Sequence, residues 1–252
     1  MNRVWSGLQV MVLRQLLSAS CVLFLYTTFG VPPSSAQVNR TAPPITADIT
    51  VEEKLGDILD LSQPFLTSTG DTITLADLAD TQKPILLNPL YYDCPILCNL
   101  VLDRVAEGIA ALDWTPGEEF TIVSFSIDST ETPADAQKAM ERLADLGIPL
   151  GADNGWAFLT APGEMHVSAA QLADAIGFGY KREPRTQEII HPAAVAFISP
   201  TPENMVSRYL YGFDFQPFQL KNAINEASIG GVGTIVEQAL FFCYSYDPDS
   251  RS

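Results

Sequence analysis

The chain has 252 residues, of which 47% are hydrophobic and 17% are charged, so it can bury a core of ordinary size. Its 30 acidic side chains outnumber 14 basic ones, and the formal net charge is −16. This charge argues against nucleic acid as a partner, because phosphate backbones are bound by clusters of lysine and arginine.

The first 36 residues have the pattern of an export signal. Arg3 and Arg14 precede an apolar segment at 16–31, and a Ser-x-Ala sequence ends at Ala36. The apolar core is shorter than the ~20 residues of a typical membrane span, which favours a cleaved signal peptide over a membrane anchor. Removing residues 1–36, which hold two arginines and no acid, changes the net charge to −18. We expect the protein to be exported, to the periplasm or the outer face of the inner membrane.

A polar, proline-containing stretch at 37–50 predicts a flexible tether, and a folded domain is expected over 51–229. Within this domain, short extended segments at 61–65 and 72–75 flank a Thr-Gly-Asp turn. A brief helix is predicted at 76–79, so that a hairpin precedes the next hydrophobic run.

That run, at 84–90, predicts a buried strand in which Pro89 has to lie at the end, where no ladder donor is required. The sequence Tyr-Tyr-Asp-Cys-Pro-Ile-Leu-Cys follows it at 91–98. Proline is favoured at the first helical position, so Cys94 and Cys98 are predicted to share one face of a helix. The helix start favours thiolate over thiol at Cys94. The pair therefore indicates either a reversible disulfide or a site for a soft metal.

Strands and helices alternate through the rest of the domain. The first helix is predicted to end near 112, and the remaining elements are strand 120–127, helix 132–146, strand 156–160, helix 167–176, strands 195–199 and 205–211 around a hairpin loop, and helix 218–227. This order predicts an α/β fold, a mixed β-sheet flanked by helices, with a ligand site at the carboxyl ends of the strands. A C-terminal extension at 230–252 is predicted to contain a flexible glycine-rich joint and a helix at 234–243.

Few side chains are available to complete a metal site. Beyond residue 36 the cysteines are Cys94, Cys98 and Cys243, and an odd number argues against a structural disulfide framework. His166 falls near a helix start, which favours a solvated or capping side chain. His191 precedes the strand at 195–199, and the loop before that strand faces the dithiol in a thioredoxin-like sheet. Its residue type and position fit either a copper ligand or a surface histidine in a turn.

The sequence resembles the Sco/SenC family of copper-binding proteins, which have a thioredoxin-like fold and act in assembly of the copper centre of cytochrome c oxidase. The resemblance is carried by Tyr-Asp-Cys-Pro-Ile-Leu-Cys at 92–98, Phe-Ser-Ile-Asp at 125–128 before Thr-Pro, Trp-Ala-Phe-Leu-Thr at 156–160, Gly-Phe-Gly-Tyr at 177–180 and the later histidine. It implies that Cys94, Cys98 and His191 bind Cu(I) or Cu(II), and that Asp93 tunes the charge of the site.

One departure concerns the C-terminal extension. A longer bacterial branch of the family carries a Phe-Cys-Tyr-His-Tyr-Asp-Pro type motif, whereas Ser245 stands here in place of the histidine. A second metal site in the extension is therefore not supported, and Cys243 is predicted to be a buried, small hydrophobic side chain.

Three functions compete. The first is a copper metallochaperone, which need not be an enzyme, that delivers copper to the oxidase's copper-binding subunit or another copper protein. The second is a thiol-disulfide oxidoreductase that uses Cys94 and Cys98 on cysteines of that subunit. The third is an interaction module with an inert disulfide, disfavoured because so small a loop stabilises a fold only weakly. Signal cleavage, recipient oxidase, copper oxidation state and oligomeric state stay open.

Overall fold

The structure is a computed structural model that describes residues 49–79, 82–93, 97–150, 155–201 and 203–233, and for 97–99 it describes the backbone alone. All these residues belong to one compact unit. The predicted signal segment, the tether as far as residue 48, Cys94, the side chain of Cys98 and the C-terminal helix with Cys243 lie outside the described residues.

A seven-stranded mixed sheet forms the centre of the fold. Its strands are β1 Pro64–Thr67, β2 Thr72–Thr74, β3 Ile85–Leu90, β4 Thr121–Ser126, β5 Trp156–Thr160, β8 Ala194–Ser199 and β9 Met205–Tyr211, and β6 Lys181–Arg182 and β7 Ile189–Ile190 form a separate hairpin. The spatial order in the sheet is β2-β1-β5-β4-β3-β8-β9. Strands β3, β4 and β5 run parallel, and the outer strands pair antiparallel. The predicted mixed sheet is confirmed.

Helices cover both faces of this sheet. They are α1 Leu97–Ala110, α2 Pro133–Asp145, α3 His166–Ala175 and α4 Pro217–Ser228, with 3₁₀ turns at Leu75–Asp77 and Gly163–Met165. In β9, Arg208 pairs with Glu226 of α4, whereas the Tyr209 hydroxyl donates to the Ile176 carbonyl at the end of α3. Successive strand residues point to opposite faces, so α4 and the end of α3 lie on opposite sides of the sheet.

The face that carries α4 also carries α1 and α2. Right-handed crossovers from β3 to β4 and from β4 to β5 place α1 and α2 on one face, and Arg142 of α2 donates to Asp103 of α1. Gly108 of α1 lets the chain before α4 approach closely, since a Cβ there would lie 2.5 Å from the Phe215 carbonyl oxygen. Helix α1, whose first turn contains Cys98, therefore packs against both α2 and the chain before α4.

The central strands form the hydrophobic core. Every residue of β3 and β4 is buried, as expected for parallel strands covered on both faces. Pro89 is tolerated near the end of β3, as predicted, because the pairing with β8 extends only to Leu87.

Three local predictions need correction. The first strand begins at Pro64 rather than at residue 61, although the turn and hairpin are present. The β6–β7 hairpin was not predicted, because strands of two residues carry no periodicity. The glycine-rich stretch is hydrogen-bonded rather than a loose joint, since the Gly231 amide donates to Glu226 and the Gly233 amide to Ser207.

Candidate metal centre

The carboxyl ends of β3, β4 and β5 and the amino end of the antiparallel β8 meet at one edge of the sheet. The segment that leads to Cys94 leaves β3 at this edge, and His191 precedes β8 there. Helix α1 begins at Leu97, so the backbone of Cys98 lies in its first turn. The predicted sharing of one helical face by the two sulfurs is not tested, because neither sulfur is among the described atoms.

Tyr92 fixes the start of the cysteine loop to the sheet. Its ring is buried, and its hydroxyl lies 2.9 Å from the Ser124 carbonyl oxygen and 3.1 Å from that of Leu159. Burial, with a smaller contribution from Glu131, raises the pKa of Tyr92 well above its usual value, so the phenol stays protonated and donates. These hydrogen bonds therefore fix the position of Tyr92 where the chain leaves β3.

Glu131 holds the next residue of the loop. It is 4% exposed, and its Oε1 accepts a hydrogen bond of 2.7 Å from the Asp93 amide, directly before Cys94. Its Oε2 accepts a bond of 2.5 Å from the Ser126 hydroxyl. Burial raises the pKa of Glu131, and these hydrogen bonds partly offset the effect. Sequence reasoning missed this residue, because an acid two positions before a helix proline is typical of an exposed cap.

His191 is half-buried between aromatic rings. Its ring centroid lies 6.0 Å from that of Tyr91, in an edge-on arrangement, and 5.7 Å from that of Phe178. Burial lowers the pKa of His191 below its usual value, so the ring is neutral at neutral pH. The contact with Tyr91 brings the imidazole beside the segment that enters the cysteine motif.

The tautomer of His191 follows from a backbone contact. Its Nδ1 lies 2.8 Å from the Pro192 carbonyl oxygen, and a carbonyl can only accept, so Nδ1 carries the proton. The lone pair of the neutral ring is then on Nε2. A ring fixed by its second nitrogen in this way is typical of histidine metal ligands.

The β6–β7 hairpin comes directly before His191 and is bonded to the end of β4. Arg182 on β6 donates to Asp128, which follows β4, across 2.6 Å, and to the Gln187 carbonyl oxygen across 2.7 Å. Burial would raise the pKa of Asp128, but hydrogen bonds from Thr130 together with Arg182 outweigh it and hold that pKa below its usual value. The hairpin is thus tied by an ion pair to the edge where Glu131 lies.

A cavity of about 260 Å³ opens beside the loop. Its walls carry the carboxylates of Asp93, Asp128, Glu131, Asp135 and Glu188. Arg182 pairs with Asp128, and Lys138 pairs with Asp135. The edge of the sheet is therefore acidic, which favours cations over anions as the species that approach it.

His166 lies at the same edge but has other contacts. It is the first residue of α3, its Nε2 lies 3.3 Å from the Tyr180 hydroxyl, and burial lowers its pKa. The ring is partly exposed to solvent, and the predicted capping role is not observed, because α3 has no side-chain cap. Among the described residues its buried Nδ1 has no hydrogen-bond partner.

The described side chains do not by themselves form a metal site. Within them, no group of three or more His, Cys, Asp or Glu residues is arranged to hold a metal ion, and the cysteine side chains of the motif are not among them. No helix in the same part of the chain is long and apolar enough to cross a membrane.

Comparison with known proteins gives the fold. No protein-family model and no curated protein matches the sequence. A candidate electron transfer protein from Aquifex aeolicus VF5 is 25% identical, with a TM-score of 0.60 over 70% of this chain and 95% of that one. BsSco, a Sco family cytochrome c oxidase assembly protein studied for a disulfide switch, is 18% identical, with a TM-score of 0.52 over 71% and 98%.

A third similar structure is that of Arabidopsis thaliana ScoI with copper bound, 16% identical, with a TM-score of 0.51 over 68% of this chain and 99% of that one. The chain therefore has the thioredoxin-like fold found in Sco proteins. The predicted resemblance to the Sco/SenC family is confirmed at the level of the fold.

Proposed function

We propose that this protein is a copper metallochaperone of the Sco type, which binds one copper ion through Cys94, Cys98 and His191. The single observation that carries the proposal is His191, a neutral, half-buried imidazole with Nδ1 bonded to a backbone carbonyl, beside the segment that enters the dithiol motif. The fold shared with copper-bound ScoI from Arabidopsis thaliana supports the same assignment.

The chemistry of the donors fits copper. Two thiolates provide the soft ligands that Cu(I) favours, and an imidazole nitrogen makes the set suitable for Cu(II) as well. His191 does not need to lose a proton at neutral pH, because burial lowers its pKa. His191 then releases no proton when copper binds.

The proposed location comes from the sequence, and the proposed partner comes from the similarity to BsSco. The export signal or anchor at 1–36 would bring the domain to the periplasm or the outer face of the inner membrane. The proposed recipient is the copper-binding subunit of cytochrome c oxidase, as BsSco belongs to a family of assembly proteins for that enzyme. The acidic edge around the cavity would favour a recipient with a basic surface.

A second function is favoured by one specific observation. A thiol-disulfide oxidoreductase needs a fixed, accessible dithiol at a helix start, and the hydrogen bond from the Asp93 amide to Glu131 fixes the residue before Cys94. The likeness to BsSco, with its disulfide switch, and to a candidate electron transfer protein agrees with such a role. In this function His191 would be dispensable or would act as a proton acceptor.

Copper titration of the reduced protein separates the two functions. We expect one copper per chain, and a loss of affinity in Cys94→Ser, Cys98→Ser and His191→Ala that exceeds the ~10–100-fold typical of residues outside the ligand shell. His166→Ala is the matched control, since it removes an imidazole from the same edge. If His191→Ala binds copper as the parent does, the proposed ligand set is wrong, and retained thiol exchange would support the oxidoreductase.

A further inference from the structure

Glu131 is a buried carboxylate that a copper site made of Cys94, Cys98 and His191 does not use. It is 4% exposed and lies in the connection between β4 and α2. Placing a carboxylate out of water is costly unless hydrogen bonds compensate. The hydrogen bonds of Glu131 therefore indicate its structural role.

Those contacts converge on the entrance to the cysteine motif. The Asp93 amide donates to Oε1 across 2.7 Å, directly before Cys94. The opposite oxygen is held by the Ser126 hydroxyl, which lies at the end of β4. Glu131 thus links the central sheet to the backbone of Asp93, the residue before Cys94.

We infer that Glu131 is a positioning residue for the dithiol, acting through its hydrogen bond to the Asp93 backbone, directly before Cys94. The inference rests on the proposed role of Cys94 and Cys98 as the reactive pair. Because Tyr92 is anchored separately by its hydroxyl, the hydrogen bond to Glu131 specifically restrains Asp93, directly before Cys94.

The restraint is a matter of geometry rather than charge. An amide at residue 131 keeps an oxygen for the Asp93 amide and offers its N–H to the Ser126 oxygen, so glutamine can restore both contacts. Alanine restores neither. The pair of substitutions Glu131→Ala and Glu131→Gln therefore separates loss of the hydrogen bonds from loss of the negative charge.

Two thiols held close together form a disulfide more readily than two thiols on a loose loop. We expect Glu131→Ala to lower the equilibrium constant for the Cys94–Cys98 disulfide, measured against glutathione in the folded protein, by about tenfold, while Glu131→Gln stays within about twofold. Glu188→Gln is the matched control, because it removes an exposed carboxylate from the same cavity. Circular dichroism establishes that each variant is folded.

Copper dissociation provides a second readout in the same variants. We expect it to be faster in Glu131→Ala, and restored in Glu131→Gln. A disulfide constant that does not change in Glu131→Ala, or one as impaired in Glu131→Gln as in Glu131→Ala, would overturn the inference. If the parent protein binds no copper at all, the proposed function fails, and the disulfide measurement still decides the role of Glu131.

Discussion

The ion pair between Arg182 and Asp128 joins the β6–β7 hairpin to the end of β4, and the hairpin leads directly to His191. Replacing Arg182 with methionine keeps an unbranched apolar side chain but removes the guanidinium. Asp128 then keeps its hydrogen bonds from Thr130 and loses its cationic partner. We expect a less stable protein that also releases copper faster, because the segment before His191 is less restrained.

The size of the effect follows from the exposure of the pair. The atoms are 2.6 Å apart, and the side chains are 33% and 11% exposed for Arg182 and Asp128. Fully exposed pairs contribute about 0–1 kcal/mol, and breaking a fully buried pair costs about 3–5 kcal/mol. A coupling free energy of about 1–2 kcal/mol lies between these limits, and corresponds to a fall in Tm of about 2–8 °C for a domain of this size.

The stabilisation by the Arg182–Asp128 ion pair should decrease as the pH falls. The pKa of Asp128 is held below its usual value in the folded protein. The stability gained from the ionised carboxylate is therefore fully present above the unfolded pKa of about 3.9, and is lost as the pH falls through the folded pKa. The difference in unfolding free energy between the parent and Arg182→Met should shrink over that acidic window and stay constant from about pH 5 to pH 7.

A double-mutant cycle with Arg182→Met and Asp128→Asn measures the coupling by urea unfolding. The exposed Lys138–Asp135 pair serves as the control, since its side chains are 75% and 26% exposed and we expect it to contribute less than about 0.5 kcal/mol. A coupling for Arg182 and Asp128 that is no larger than the control, or that persists unchanged at the lowest pH, would refute this account of the hairpin.

Two further predictions concern the surroundings of the site. In the metal-free protein, NMR titration of His191 should give an apparent pKa below about 6.5, so that stability falls as the pH drops below about 6.5, where the unfolded chain takes up the proton first. A value at or above the usual one would contradict the burial of the ring. Gly177→Ala should lower the unfolding free energy by about 2 kcal/mol or more, because φ is +62° and the new Cβ would lie 1.8 Å from the Glu52 carbonyl oxygen. Gly147→Ala, with φ +75° and no atom within 4 Å, should cost only about 1 kcal/mol in the same urea experiment. Equal losses in the two variants would show that φ alone matters and that the contact with the Glu52 backbone does not.

The order of strands and helices could be predicted from the sequence because it depends on local patterns. The hydrophobic run before the cysteines, the Thr132-Pro133 helix start and the glycine after α3 each mark a boundary without any tertiary contact. At the helix start, the Thr132 amide donates to the Asp135 carboxylate, as the capping box predicts, and the Thr132 hydroxyl donates to the same oxygen. The local sequence of each of these elements is therefore enough to predict its boundaries.

The contacts that organise the site could not be predicted in the same way. Glu131 and Asp128 stand in a polar stretch that is typical of a solvent-exposed loop, and their burial depends on how β4, β6 and the cysteine loop meet. Arg182 lies 54 positions from its partner in a strand of two residues. Neither periodicity nor residue type indicates a pairing across that distance.

His191 supports copper binding more strongly than it supports thiol exchange. Thiol exchange needs a thiolate and an accessible sulfur, and the carboxylates around the nearby cavity supply neither. A cation bound by both sulfurs would offset the same negative charge. A neutral imidazole with its Nδ1 proton held by Pro192 adds a nitrogen donor at no proton cost. The proposed copper ion would account for both the acidic edge and the fixed histidine, whereas the proposed oxidoreductase activity would not require the acidic edge.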